Sequence, residues 1–168
     1  MEKGYKCFKS DLTNRYGQQF EVNQKYVWSG PLHFGSNGQG WHFCKNLEDT
    51  LRYSYPYGDD YVICEVIGSG AILESFDTYN EYFDMYCSSV IEITKVLSRE
   101  EIINYAFNIT SLQLERFVAL FKLTPEEISL LKEKFKGEKH LLVTIAYYQE
   151  NDKKAFEKYN KCLKIKSI

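Results

Sequence analysis

The chain has 168 residues and a net charge of −2, with 44% hydrophobic and 26% charged side chains. That composition is ordinary for a folded protein of about one domain per ~150 residues, and it excludes disordered, collagen-like and low-complexity classes. No run approaches the ~18 apolar residues of a membrane span, and the opening MEKGYKCFKSD lacks the apolar stretch of a signal peptide, so a cytoplasmic protein is expected.

The first hundred residues read as strands and loops. Gly4–Lys9 is a strand, followed by a polar loop with Asn14 and Gly17. Lys25–Trp28 reads as a second strand, Ser29–Gly40 as an irregular glycine-rich loop, and Trp41–Lys45 as a third strand. Asn46, with Asp49 three residues on, is placed as the cap of a short helix ending near Tyr53. Asp60–Ile67 is apolar at alternate positions on both faces, the pattern of a strand covered on two sides. Ala71–Phe76 is expected to pair beside it after a Gly68-Ser69-Gly70 turn, and Val90–Leu97 closes the strand region.

From Ser98 the period changes to that of helices, expected at about 99–107, 111–122, 125–135, 138–149 and 152–163. Ser98-Arg99-Glu100-Glu101 and Thr124-Pro125-Glu126-Glu127 both have the form of a capping box, the second with proline at the first helical position. Two parts follow, a strand-rich 1–97 and a helical 98–168, the second a cap on the first.

Charge divides the same way. Residues 1–97 carry a net −5 and residues 98–168 a net +3, and eight acids between 53 and 94 face no Lys or Arg there. A basic stripe for nucleic acid is missing from this half, and the lysines of the tail read as a solvated helix face. The five cysteines have no CxxC spacing and read as reduced, buried thiols, so no structural metal is expected. No phosphate loop of the GxxxxGK[ST] type is found.

Residues 38–68 carry the chemistry. Gly38, Gly40, Trp41, His42 and Phe43 are followed by Thr50 seven and Tyr53 ten positions after the phenylalanine, then by Glu65-Val66-Ile67-Gly68. This resembles the core of the ADP-ribosyltransferase fold in its poly(ADP-ribose)-polymerase-like branch. The whole chain is also similar to a family of uncharacterised bacterial and phage domains with Tyr-Lys-x-Phe and Gly-x-His-Phe-Cys motifs. Tyr5-Lys6-Cys7-Phe8 and Gly40-Trp41-His42-Phe43-Cys44 match these motifs. The resemblance implies an α+β fold with a split, twisted, mainly antiparallel sheet and NAD as the substrate. His42 and Tyr53 would sandwich the nicotinamide and Thr50 would bond its amide, while on the first strand Lys6 would contact the pyrophosphate and the backbone of Cys7 would clamp the amide.

Cleaving the nicotinamide–ribose bond passes through an oxocarbenium-like state, which a carboxylate stabilises. At the position of the family's glutamate the sequence offers Cys87 or Ser88. Glu81, in Asn80-Glu81-Tyr82, resembles the motif in letters, and Glu92 lies inside the last strand. Two functions are therefore expected in competition. One is binding of NAD or an ADP-ribose-like nucleotide, with transfer to a macromolecular acceptor through Glu81. The other is a non-catalytic module of a phage or bacterium that binds a protein partner through its helices or acidic rim.

Overall fold

The computed structural model describes residues 1–34, 38–76, 84–154 and 157. The chain divides into two compact units, Met1–Ser98 and Arg99–Ile168. The first holds five strands: β1 (Glu2–Lys9), β2 (Lys25–Val27), β3 (Trp41–Cys44), β4 (Tyr61–Phe76) and β5 (Asp84–Val96). Between β3 and β4 lie the short helix α1 (Leu47–Thr50) and two 3-10 turns, Leu51–Tyr53 and Tyr55–Tyr57.

Every pair of named strands is antiparallel, in the order β2-β5-β3-β1-β4 with β4 also paired to β5. The pairings β1–β3, β3–β5, β5–β4 and β4–β1 thus close a circuit. Strand β5 has β4 along one side. On its other side β3 pairs with Met85–Ser88 and β2 with Val90–Glu92, so β2 and β3 lie end to end. The protein is α+β, with a mainly antiparallel five-stranded sheet.

The registers correct the expected strand boundaries. Gly68-Ser69-Gly70 is no turn between two strands: β4 runs through it for 16 residues, and the pairing with β5 slips between Ser69 and Ile72 instead. A bulge gives a long strand the bend a turn would supply, with Gly70 at φ +74°. Strand β5 begins at Asp84 rather than Val90, because Asp84–Ser88 find β4 partners in Ile72–Phe76.

Alternation on the strands sends Phe8, Trp41, Phe43, Cys64, Val66, Ile91 and Ile93 into one core, joined by Phe20 from the loop after β1. The aromatic rings interlock. Phe20 stands 5.0 Å from Phe8 and 5.5 Å from Trp41, and Phe43 is 5.4 Å from Tyr86. Cys7 and Phe8 are both buried, so β1 is covered on two faces.

The second unit contains α2 (Arg99–Ala106), α3 (Ser111–Leu120), α4 (Pro125–Lys134) and α5 (Lys139–Gln149). The expected helix at 152–163 falls almost wholly outside the described residues. The box at Thr124 forms as expected, and a second one at Thr110 with Gln113 was not anticipated. Gln149 staples α5 to the end of α3 by donating to Val118 O and Phe121 O and accepting from Leu123 N.

Glu127 has two tasks in this unit. It closes the Thr124 box and receives the Arg99 fork through Nε at 2.8 Å and Nη2 at 2.7 Å. Burial alone would raise its pKa, but the Arg99 and Thr124 hydrogen bonds outweigh it and hold the carboxyl below its ordinary 4.5. A carboxyl depressed by folding stabilises above its unfolded value and loses that contribution as pH falls through the folded one. Helix content followed by circular dichroism should therefore drop as pH falls below 4.5, and Glu127→Gln should shrink that acid step. Thr124→Ala should cost about 1 kcal/mol at neutral pH through the lost cap.

Candidate functional site

Strand β3 divides its side chains between two faces. Trp41 and Phe43 enter the core, which leaves His42 and Cys44 on the other side. The register with β5 sets Cys87 opposite His42 and Met85 opposite Cys44, so these four residues share that side. The Tyr53 hydroxyl donates to Met85 Sδ at 3.2 Å, which brings the phenol to the same side of the sheet as the imidazole.

The His42 ring is fixed by its surroundings. Its Nε2 lies 3.0 Å from His33 O, where it donates, and the Phe34 ring meets it edge-on at 5.4 Å. Burial pushes its pKa below the ordinary 6.5, and the charges of Lys6 and Arg15 push the same way, so the ring is neutral at pH 7. The loop that holds it is tied at its base by reciprocal His33–Gln39 bonds of 2.9 Å and by Cys87 Sγ donating to Gln39 O at 3.1 Å. Gly40 closes the loop at φ +99°, where a Cβ would stand 2.6 Å from both Cys87 Sγ and Leu32 Cδ2.

Lys6 lies where two strands part. Among the described residues β1 and β3 share one register, Tyr5 with Cys44. Just beyond it the Lys6 ammonium donates to His42 O at 2.5 Å, supplying the bond a continued ladder would have made. Burial draws its pKa below the usual lysine value, and the Arg15 charge acts in the same direction.

Cys7 and Thr50 face inward. The Cys7 thiol donates to Thr50 O at 3.3 Å, and the Thr50 hydroxyl lies 3.2 Å from both Tyr5 O and Asn46 O. Thr50 is 1% exposed, so its hydroxyl secures α1 to β1. Asn46 does precede α1, but its amide donates to the Asp49 carboxylate instead of capping a backbone N–H.

Sequence reasoning missed Arg15. The loop after β1 is organised by Asn14 Oδ1, which accepts from Tyr16 N and Gln18 N, and by Gly17 at φ +79°. This presents Arg15, whose charge acts on Lys6, His42, Tyr53 and Tyr57. One signal was available: Arg15 and Arg52 are the only arginines in the first 98 residues.

The thiols are quiet. Cys44 and Cys64 are each pushed up to about 12 by burial, and burial also raises Cys7 and Cys87. Cys87, at the place expected for a carboxylate, thus faces His42 as a neutral thiol. Ser88 is buried with its hydroxyl donating to Val90 O at 2.7 Å, and Glu92 pairs with Lys25 toward the far end of β5. Glu81 lies outside the described residues. Among those described, no group of His, Cys, Asp and Glu is arranged to hold a metal, and no helix is long and apolar enough to cross a membrane.

Residues 2–104 match the family described as a domain of unknown function, DUF7666, and the chain belongs to it. That span takes in the whole strand unit and both Tyr-Lys-x-Phe and Gly-x-His-Phe-Cys motifs. No curated protein and no solved structure matches the chain.

Proposed function

We propose that the face carrying His42 and Tyr53 binds NAD or an ADP-ribose-like nucleotide. The observation that supports this reading is that His42 and Tyr53 lie on one side of the sheet with the Arg15 charge acting on both. Aromatic faces suit a flat cationic heterocycle. A guanidinium offers a pyrophosphate the bidentate fork that a lysine lacks, so Arg15 takes the anion-holding role first expected of Lys6.

The fit is altered at two points. The Thr50 hydroxyl is already bonded to main-chain carbonyls, so a ligand carboxamide is left with the backbone of β1 at Cys7, beside the opening between β1 and β3. His42 is tied along one edge to His33 O, so it offers a ligand its ring face. Transfer of ADP-ribose to an acceptor, the further step implied by the likeness to ADP-ribosyltransferases, needs a carboxylate. With Cys87 opposite His42, that role falls to Glu81.

A protein-binding module on the same scaffold is the second reading. It is favoured by the thiol at 87 and by Tyr55 and Tyr16, which are 81% and 73% exposed. Thermal shift separates the two. A nucleotide at 100 times its dissociation constant adds ~2.7 kcal/mol, so millimolar NAD or ADP-ribose should raise the midpoint, and Tyr53→Ala or Arg15→Ala should remove the rise. Glu81→Gln should keep the shift and lower any NAD cleavage. No shift with NAD, ADP-ribose or nicotinamide would overturn nucleotide binding and leave the protein-binding module.

A further inference from the structure

The Glu65-Val66-Ile67-Gly68 run of β4 takes no part in the His42–Tyr53 site, yet it lines a cavity of about 480 Å³. Cavities of that size hold small ligands. Around it stand Lys3 and Tyr5 from β1, Lys45 just after β3, Glu65 and Ile67 from β4, and Thr94 from β5. The pairing of β4 with β5 slips here: Lys95 lies opposite Glu65 and Ile93 opposite Val66, which leaves Thr94 as the extra residue of a bulge. A bulge re-aims side chains, and the Thr94 hydroxyl donates to Glu65 O at 3.3 Å. The registers Lys3–Ile67 and Tyr5–Glu65 set Lys3 and Glu65 diagonally on one face of the β1–β4 pair, with Cβ atoms roughly 7 Å apart. Opposite charges so placed can meet. Among the described residues, however, neither side chain has a hydrogen-bond or ion-pair partner, although Glu65 is half-buried. Lys45 is already committed to Glu74 and lies over the Tyr86 ring at 5.0 Å, so Lys3 is the cation available at this cavity.

We propose that this cavity binds a free α-amino acid, with Glu65 taking its ammonium, Lys3 its carboxylate, and Ile67 with the Tyr5 ring its side chain. A partly desolvated carboxylate without a cation is costly, and a ligand ammonium removes that cost through charge-assisted hydrogen bonds. The ammonium and carboxylate of an α-amino acid branch from one carbon, so a single small molecule reaches both of the unlike charges that face each other across the cavity. A plain carboxylic acid would leave Glu65 uncompensated, and a plain amine would leave Lys3 so. No lining residue is shared with the His42–Tyr53 face, and this binding does not rest on the nucleotide reading.

Saturation-transfer NMR on the full chain, run with each of the common L-amino acids, tests it. Binding should be saturable and strongest for apolar and aromatic side chains. Phenylalanine should bind at least about ten-fold more tightly than phenylpropionate or phenylethylamine, the loss expected when one charge-assisted hydrogen bond is removed. Glu65→Gln should lower the affinity for phenylalanine to a similar degree and leave that for phenylpropionate unchanged, while Lys3→Gln should spare phenylethylamine in the same way. Circular dichroism checks that both variants keep the fold, and Tyr53→Ala should leave amino-acid binding intact. Saturable binding by none of the amino acids would overturn the proposal, and so would equal affinity for the three phenyl compounds or an undiminished affinity in a folded Glu65→Gln chain. Amino-acid binding in a chain that NAD does not stabilise would leave this proposal standing and the nucleotide reading fallen.

Discussion

Gly4→Ala should destabilise the strand unit by about 3 kcal/mol, although the same exchange in an open strand is neutral or gains up to about 1 kcal/mol. The reason is the closeness of β3. A Cβ at position 4 would stand 2.3 Å from Cys44 O and 2.7 Å from the Phe43 ring. The carbonyl belongs to the strand that meets β1 at Tyr5 and cannot rotate away as a side chain could. Relief has to come from moving β1 off β3, at the very register that positions Lys6 beside His42. Both tryptophans of the chain, Trp28 and Trp41, lie in the strand unit, so denaturant unfolding followed by their fluorescence reads this unit directly. An unchanged or raised midpoint would show that β1 and β3 are not packed this closely.

Phe43→Ala should cost about 3–5 kcal/mol, the usual range for emptying a buried aromatic site. Its ring is 2% exposed and occupies the space beside two glycines, since a Cβ at Gly68 would lie 2.4 Å from it. That arrangement makes a second, sharper test. Gly68→Ala alone should be destabilising, but in the Phe43→Ala background the added methyl enters the cavity the ring has left and should recover part of the loss. The coupling should fall within the ~0.5–3 kcal/mol seen for contacting residues, and additive effects would place ring and glycine apart. Phe43 lies between His42 and Cys44 on β3. Its loss should therefore also weaken whatever binds on the opposite face.

Much of the fold could be read from the chain. Alternation marked β1, β2, β3 and the buried first half of β4, and helical spacing with capping residues marked α2 to α5. The misplaced boundaries have a common cause. Gly68-Ser69-Gly70 has turn chemistry locally, but β4 continues through it because β5 pairs with it on both sides of the bulge, 16 or more residues away along the chain. Local signals cannot register such a partner. The box at Thr110 was legible and overlooked, because Gln113 does the work more often given to glutamate.

At the candidate site the sequence by itself determined which side chains are at hand: an imidazole at 42 and a phenol at 53, with a hydroxyl at 50 between them. Strand alternation also settled that His42 turns away from the core that Phe43 enters. Only the tertiary structure decided what each is free to do. Pairing of β3 with β5 brought Met85 under Tyr53 and Cys87 opposite His42. The meeting of α1 with β1 consumed the Thr50 hydroxyl, and the parting of β1 from β3 left a carbonyl for Lys6. The loop after β1 brought in Arg15, 27 positions before His42 in the chain. The physical reason is the reach of each force. Periodicity and capping act over a few residues and are written in consecutive letters, whereas burial and charge act through space between segments the folded chain alone brings together.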